Sequence, residues 1–192
     1  MRPVHEPMIR DLEWTDLDPF IETYWGLYEE RARGDPIGIT LFSERPSRSD
    51  EVAWFSNLYR RVLEGDTICV VAEQDGRAVG HCEIGPVPGS QAGSETYHVG
   101  ELGILVDARY RGQGCGRALL GRALERARGR FDLVRLSVFS TNAGAKRLYE
   151  RVGFTVTGRM PAAIRRGDAY IDLEVMHLDL RPGVPGSHAA NR

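Results

Sequence analysis

Residues 111–117 read Arg-Gly-Gln-Gly-Cys-Gly-Arg, a glycine-rich stretch between two segments with different hydrophobic periods. It follows residues 98–106, an apolar run typical of a β-strand, and precedes residues 117–128, whose apolar positions repeat at helical spacing. A turn between a strand and a helix leaves the first N–H groups of the helix without carbonyl partners. Because glycine has no Cβ, an anion can approach this backbone closely, so the sequence predicts a phosphate-binding turn.

Two other phosphate-binding motifs are excluded. A dinucleotide fingerprint that starts at Gly112 requires glycine at position 117, where Arg117 stands. Lys146 is the only lysine, so the chain contains no Gly-Lys-Ser/Thr phosphate-binding loop. The turn is therefore not expected to bind a nicotinamide dinucleotide or ATP.

The spacing Arg111-x-x-Gly114-x-Gly116 resembles the pyrophosphate-binding signature of the GNAT superfamily of N-acetyltransferases. Residues 142–154, Asn-Ala-Gly-Ala-Lys-Arg-Leu-Tyr-Glu-Arg-Val-Gly-Phe, resemble the second cofactor segment of that family. Both motifs in this order are far more specific than either alone. The resemblance implies an acetyl-CoA-dependent enzyme that acetylates a primary amine by direct attack in a ternary complex. The alternatives are a non-catalytic acyl-CoA-binding regulatory module, or transfer of a different acyl group.

The predicted elements are two helices, a hairpin closed by Asp75-Gly76, a strand–helix–strand–helix series and two closing strands. This order predicts an α/β (mixed α+β) fold, and the resemblance implies a mostly antiparallel sheet of about seven strands with about four helices. It also implies a splayed pair of parallel strands at the cofactor site. Residues 1–180 are expected to form a single acetyltransferase domain, and residues 181–192 a flexible tail.

Local signals set several boundaries within this order. Thr15 and Asp18 have capping-box spacing before the first helix, and Ser47 and Asp50 have it before the second. The two closing strands are expected to flank a loop over residues 160–168, which contains a proline and a glycine.

The resemblance assigns cofactor contacts by position. The turn is expected to hold the pyrophosphate mainly through backbone amides, and the pantetheine arm is expected between strands 98–106 and 133–138. A cysteine in the turn fits a small filler better than an acyl-carrying nucleophile. The expected cofactor-binding residues are Leu105, Val106, Arg111, Gly112, Gln113, Gly114, Cys115, Gly116, Arg117, Asn142 and Tyr149.

Amine acetylation needs three groups: a base that deprotonates the amine, a hydrogen-bond donor that stabilises charge on the carbonyl oxygen, and an acid that protonates the departing thiolate. Asn142 and Tyr149 are seven residues apart, so they share one helix face. Asn142 is also a good helix cap. The resemblance implies that Tyr149 is the general acid, and that a Val106 amide faces the carbonyl oxygen.

Candidates for the base are acids in otherwise apolar strands. Glu101, on the expected cofactor strand, is the first candidate because the family often places an acid there. Glu83, on the neighbouring strand, is the second, and His98 and His81 are held in reserve.

The amino-acid composition restricts the classes of partner that the protein is expected to bind. With 25 basic and 27 acidic residues the formal charge is −2, so no field attracts nucleic acid or an anionic membrane. The three cysteines lack a C-x-x-C pair, which predicts neither disulfides nor a metal site. No stretch approaches the roughly 18 apolar residues of a membrane span. A soluble, unprocessed cytoplasmic protein is expected.

The sequence leaves the acceptor open between a small-molecule amine and a protein N-terminus or lysine. Residues 34–48 and 161–168 are expected to form the walls of the acceptor site. Glu29, Glu30 and Glu44 are candidates to bind a cationic amine there. Dimers are common in the family that the chain resembles, so a homodimer is one expected assembly.

Overall fold

The computed structural model describes residues 7–183. Within them the strands are β1 (Met8–Asp11), β2 (Ile68–Gln74), β3 (Arg77–Pro86), β4 (Val99–Val106), β5 (Leu133–Phe139), β6 (Thr155–Arg166) and β7 (Ala169–Asp179). The helices are α1 (Leu17–Ala32), α2 (Arg48–Leu63), α3 (Cys115–Ala127) and α4 (Ala143–Arg151). The predicted mixed fold is confirmed. Most of the expected tail, residues 184–192, lies outside the described residues, as do residues 1–6.

The seven strands form one sheet in the order β1-β2-β3-β4-β5-β7-β6. Neighbouring strands are antiparallel except β4 and β5, which are parallel. No helix among the described residues is both long and apolar enough to cross a membrane.

Helices cover both faces of the sheet. Strand β2 shows this directly, since Val70 packs into a core with α3 and α4, whereas Cys69 and Val71 pack with Phe20 of α1 and Phe55 of α2. Successive strand residues point to opposite faces, so an unbroken apolar strand needs a partner layer on each side.

Two local predictions are confirmed. Asp75 and Gly76 both have positive φ, 53° and 75°, as a two-residue hairpin turn requires. Ser47 Oγ accepts a hydrogen bond from Asp50 N at 3.3 Å, and the Asp50 carboxylate accepts one from Ser47 N at 3.0 Å. This capping box begins α2 as expected.

The cap predicted for the first helix is wrong. A short 3-10 turn precedes α1, and its capping box is formed by Glu13 and Asp16. The Asp16 carboxylate accepts from Glu13 N at 2.9 Å and receives both terminal nitrogens of Arg10 at 2.8 Å. This ion pair joins the helix start to β1, and that contact outweighs the local spacing of Thr15 and Asp18.

The loop predicted over residues 160–168 is also wrong, because β6 continues to Arg166. Pro161 is tolerated because β6 is an edge strand and Pro161 has no partner on β7 between the pairs of Met160 and Ile164. A register shift and a positive φ of 54° at Ala162 absorb the irregularity, and Ala162 N donates to the Asp172 carboxylate at 2.8 Å. The long β6–β7 hairpin consequently reaches past the end of β5.

The parallel pair positions the site. Strands β4 and β5 pair over three positions, the last being Glu101 opposite Arg135. Beyond it, β4 continues to pair with β3 as far as Val106, while β5 pairs with β7 as far as Phe139. The two strands therefore separate toward their carboxyl ends. We call the gap between residues 102–106 and 136–139 the wedge.

Candidate active site

The glycine turn sits at the open end of the wedge. Gly112 and Gly114 have φ of 74° and 91°, and a Cβ added at either would meet no atom within 4 Å. The first helical hydrogen bond of α3 runs from Ala118 N to Gly114 O at 3.0 Å. The backbone N–H groups that precede Ala118 in the first turn therefore have no carbonyl partner within the helix. Open space above N–H groups at a helix start matches a cradle for a phosphate anion.

The other turn residues shape this cradle. A Cβ at Gly116 would lie 3.2 Å from Leu148 Cδ2, so glycine permits close packing of α3 on α4. Gln113 Nε2 donates to Arg109 O at 2.7 Å, which ties the turn to the chain before it. Cys115 is buried, and burial raises the pKa of its thiol, which disfavours a nucleophilic thiolate.

The Arg111 side chain anchors the turn to α1. Its terminal nitrogens donate to the Glu30 carboxylate at 2.6 and 3.0 Å, and its Nε donates to Val106 O at 2.9 Å. Glu30 is buried and engaged by this pair, so it is not directed at an acceptor. Arg117 is exposed on the first turn of α3.

Strand register determines which backbone groups face the wedge. Asp107 N donates to Val79 O at 2.9 Å, and hydrogen-bonded pairs alternate along an antiparallel ladder. The N–H and C=O groups of Leu105 consequently point to β3, whereas those of Ile104 and Val106 point to the wedge. Ile104 was not identified from the sequence, because a motif gives no register.

Tyr149 lies on the α3/α4 face of the sheet. It is buried, and its ring centroid is 5.9 Å from that of Phe154. Burial raises the pKa of its phenol well above the usual range, and the nearby Cys82 raises it further. Cys82 pairs with Ile104 across β3 and β4, which places Tyr149 over strands that border the wedge.

Asn142 caps α4, as its residue type indicated. Its Oδ1 accepts from Ala145 N at 3.1 Å. The loop between α1 and α2 runs against its amide, since a Cβ at Gly38 would overlap the Asn142 side chain. Asn142 therefore lies between the start of α4 and this loop.

Two acids lie on the opposite, α1/α2 face, close to the point where the wedge begins. The Glu101 carboxylate accepts from Arg135 Nη2 at 2.9 Å. Glu83 extends over Gly103 on the adjacent strand, where an added Cβ would be 3.1 Å from Glu83 Oε1. Burial raises the pKa of Glu83, and the positive charge of Arg61 partly offsets that shift.

The reserve candidate His81 is a packing residue. Its ring stacks on Phe20 with centroids 4.2 Å apart, and burial lowers the pKa of its imidazole to about 4, against a smaller opposing effect of Asp16. The ring is consequently neutral near neutral pH. His98 is exposed just before β4.

A groove opens beside the end of β5, between the α1–α2 loop and the β6–β7 hairpin. Arg166 joins its walls by donating to Ile37 O at 2.8 Å and Ile39 O at 3.0 Å. The same guanidinium lies 5.4 Å from the ring centroid of Phe139, the last residue of β5. The groove has a volume of about 320 Å³ and is lined by Arg31, Thr40, Leu41, Ser43, Ile164, Arg165, Arg166 and Gly167.

The two segments expected to wall the acceptor thus face each other. A larger depression, about 490 Å³, lies beside residues 86–92 before β4 begins, at the end of that strand opposite the glycine turn. In the described part of the chain, no three His, Cys, Asp or Glu side chains are grouped as a metal site.

Known proteins match this architecture. The acetyltransferase (GNAT) family matches residues 24–154. The L-methionine sulfoximine/L-methionine sulfone acetyltransferase of Pseudomonas aeruginosa is 28% identical over 178 residues, which cover 91% of this chain and 95% of that protein. The enzyme of the same name from Salmonella typhimurium is 30% identical over 143 residues, covering 73% and 79%. The structure of yncA from Salmonella typhimurium, with its cofactor acetyl-CoA, superposes with a TM-score of 0.76 at 26% identity, covering 93% and 96%.

The family match includes the glycine turn, the wedge and α4. An open anion cradle beside a gap that backbone groups of β4 face, as those of Ile104 do, fits the diphosphate and the extended arm of acetyl-CoA. The chain therefore belongs to the acetyltransferase (GNAT) family, and it is an N-acetyltransferase that moves the acetyl group of acetyl-CoA to an amine.

Proposed function

We propose that the acceptor is the primary amine of a small molecule that resembles an amino acid. The observation that carries this proposal is the groove of about 320 Å³ beside the wedge, a volume at the lower end of small-molecule sites. Walls on two sides restrict access for a folded protein surface. The two relatives described above are named for acetylating derivatives of L-methionine, which supports the same class of acceptor.

We propose that the cofactor is held at the open end of the wedge and along its β4 side. Amides from Gly112 to Arg117 bind the diphosphate, and the N–H and C=O groups of Ile104, which face the wedge, bind the pantetheine arm. Asn142 contributes from the start of α4. We propose Ile104 in place of Leu105 because the ladder with β3 already engages the Leu105 backbone.

The acetyl donor supplies a thioester whose acetyl group is transferred. We propose that Glu101, fixed by Arg135 at the closed end of the wedge, takes the proton from the amine through a chain of water molecules, because Val106 lies five residues further along β4, roughly 16 Å away. A Val106 N–H donates to the carbonyl oxygen, where negative charge develops. Tyr149 donates its phenolic proton to the departing thiolate.

An acceptor panel tests the proposed substrate class. With acetyl-CoA, we expect kcat/KM for L-methionine sulfone and other free L-amino acids to exceed that for a polyamine or a lysine-containing peptide by at least about tenfold. Thiol release without any amine gives the background for each rate. Faster acetylation of the peptide or the polyamine contradicts the proposal and leaves the acetyltransferase assignment intact.

The cradle can be tested without turnover. CoA at about a hundred times its dissociation constant should stabilise the native protein by about 2.7 kcal/mol, and Gly114→Val should abolish this stabilisation. The branched side chain enters the open space above the turn, where the diphosphate would lie. The measurement is the shift of thermal unfolding on adding CoA.

The substitution Gly129→Val provides a matched control for backbone strain. Gly129 has a φ of 77° and open space around a Cβ, but it follows α3 at the end opposite the turn. Both variants should lose roughly 1–3 kcal/mol from the strained backbone, and only the control should keep the CoA shift. An undiminished shift in Gly114→Val removes the turn from the cofactor site.

A further inference from the structure

The charge of the groove points to one chemical group on the acceptor. Arg31 from α1 and Arg165 and Arg166 from the β6–β7 hairpin all line it, whereas no acidic side chain does. We propose that these arginines form a carboxylate-binding subsite, which holds the acid group of the acceptor while its amine faces the wedge. The inference rests on the proposed function and assigns the residues that select its substrates.

The three guanidinium groups have no carboxylate partner in the described part of the chain. Glu44 and Asp168 are adjacent in sequence to lining residues, but they neither line the groove nor pair with these arginines. Arg111 and Glu30 neutralise each other nearby at the glycine turn. The groove therefore keeps a concentrated positive charge in a protein whose formal net charge is −2.

The same arginines retain unused donors in fixed positions. Arg31 donates to Phe42 O and Ser43 O at 2.9 Å, and Arg166 donates to Ile37 O and Ile39 O. Each guanidinium has five N–H groups, so each keeps three after these two bonds. Anchoring by backbone carbonyls leaves the positive charge uncompensated while it holds the planar groups in place.

A bound anion would relieve a repulsion that the groove contains. Burial lowers the pKa of Arg166, and the positive charge of Arg31 lowers it further. A carboxylate between the two groups offsets both effects and accepts charge-assisted hydrogen bonds. The hydroxyls of Thr40 and Ser43 add neutral donors along the same wall.

The charge also disfavours the wrong acceptors. A polyamine would bring its second ammonium group against three arginines, and a lysine side chain without a nearby acid offers these arginines no anion. An amino acid presents an anion and an amine close together, so it satisfies the groove and the wedge at once.

Arg165→Glu tests the subsite, because Arg165 is exposed and its side chain, within residues 7–183, donates one hydrogen bond, to Gly167 O of its own hairpin at 3.2 Å. The probes are L-methionine sulfone and its methyl ester, which keeps the amine and lacks the negative charge. We expect wild-type kcat/KM to favour the acid by about ten- to a hundredfold, mainly through KM, and Arg165→Glu to remove most of that preference. The rate with the ester should change by less than about threefold.

Arg151→Glu serves as the control for charge reversal, since Arg151 is exposed at the far end of α4. It should keep the wild-type preference for the acid. Equal losses with acid and ester in Arg165→Glu would overturn the subsite. So would a lower CoA affinity with an unchanged preference, which would assign the groove to a cofactor phosphate.

The proposed function fails in a different way. If wild type acetylates neither the acid nor the ester while it acetylates other amines, the acceptor class is wrong and the subsite is lost with it. If it acetylates the ester as fast as the acid, amino-acid-like acceptors stand and only the subsite is overturned. The ester amine is the less protonated of the two, so amine reactivity alone cannot produce a preference for the acid.

Discussion

Replacing Tyr149 with phenylalanine is expected to slow acetyl transfer by roughly a hundred- to ten-thousand-fold while cofactor affinity stays at the wild-type level. Phenylalanine keeps the ring that packs beside Phe154, so the change removes only the hydroxyl. Burial holds the pKa of that hydroxyl above its usual range, so the proton donor stays protonated through neutral and mildly alkaline pH. Tyr149 should therefore add no alkaline limb to the rate profile below about pH 10.

The measurement is single-turnover acetylation of any accepted amine, made beside the CoA-induced shift in thermal unfolding. A thiolate can leave without a proton, so we expect a loss at the lower end of this range, shrinking as pH rises. Tyr170→Phe removes a hydroxyl from an exposed position on β7 and should be neutral. Equal rates for wild type and Tyr149→Phe at saturating substrates exclude the acid role, and weaker CoA binding with unchanged chemistry makes Tyr149 a binding residue.

Glu101→Gln is expected to lower turnover by about a hundred- to a thousandfold near pH 7. Glutamine has nearly the same shape, but it cannot take a proton from the ammonium form of the acceptor. The deficit should shrink as pH rises, because the amine then loses its proton to solvent. Rates across this pH range, with CoA affinity measured in parallel, check the prediction.

Glu83→Gln is the matched comparison, because Glu83 lies on the same face of the sheet, one strand away. It should cost much less than Glu101→Gln. The opposite result, with full activity in Glu101→Gln and a large loss in Glu83→Gln, identifies Glu83 as the base. Its raised pKa would then place the acid limb of kcat/KM above the ordinary range of glutamate, and Glu83→Gln would remove that limb.

Patterns that span only a few residues of sequence were enough to predict many of the turns, caps and helices of this protein. The glycines of the turn, the Ser47 cap and the Asp75-Gly76 hairpin each depend on backbone conformations that neighbouring atoms dictate. Hydrophobic periodicity located the helices because burial of one face repeats with the geometry of the element itself. These local rules, together with the two cofactor motifs, were sufficient for the fold and the family.

Contacts between different elements decided the rest. Asp16 replaced Asp18 at the start of α1 because Arg10, six residues earlier on β1, pairs with it. Strand β6 passed through Pro161 because it lies at the edge of the sheet, and strand order is not visible at short spacing.

The residues of the site also divide into those that local patterns predict and those that only packing between segments brings together. The sequence alone predicts a cradle over residues 111–117, and it predicts one helix face for Asn142 and Tyr149, although Asn142 caps α4 just before its first residue. The fold was needed to show that the backbone groups of Ile104 face the wedge and that Arg31 and Arg166, 135 residues apart, line one groove. Ladder register and side-chain convergence arise when separated segments pack together, so the charge that the acceptor meets is a property of the folded chain.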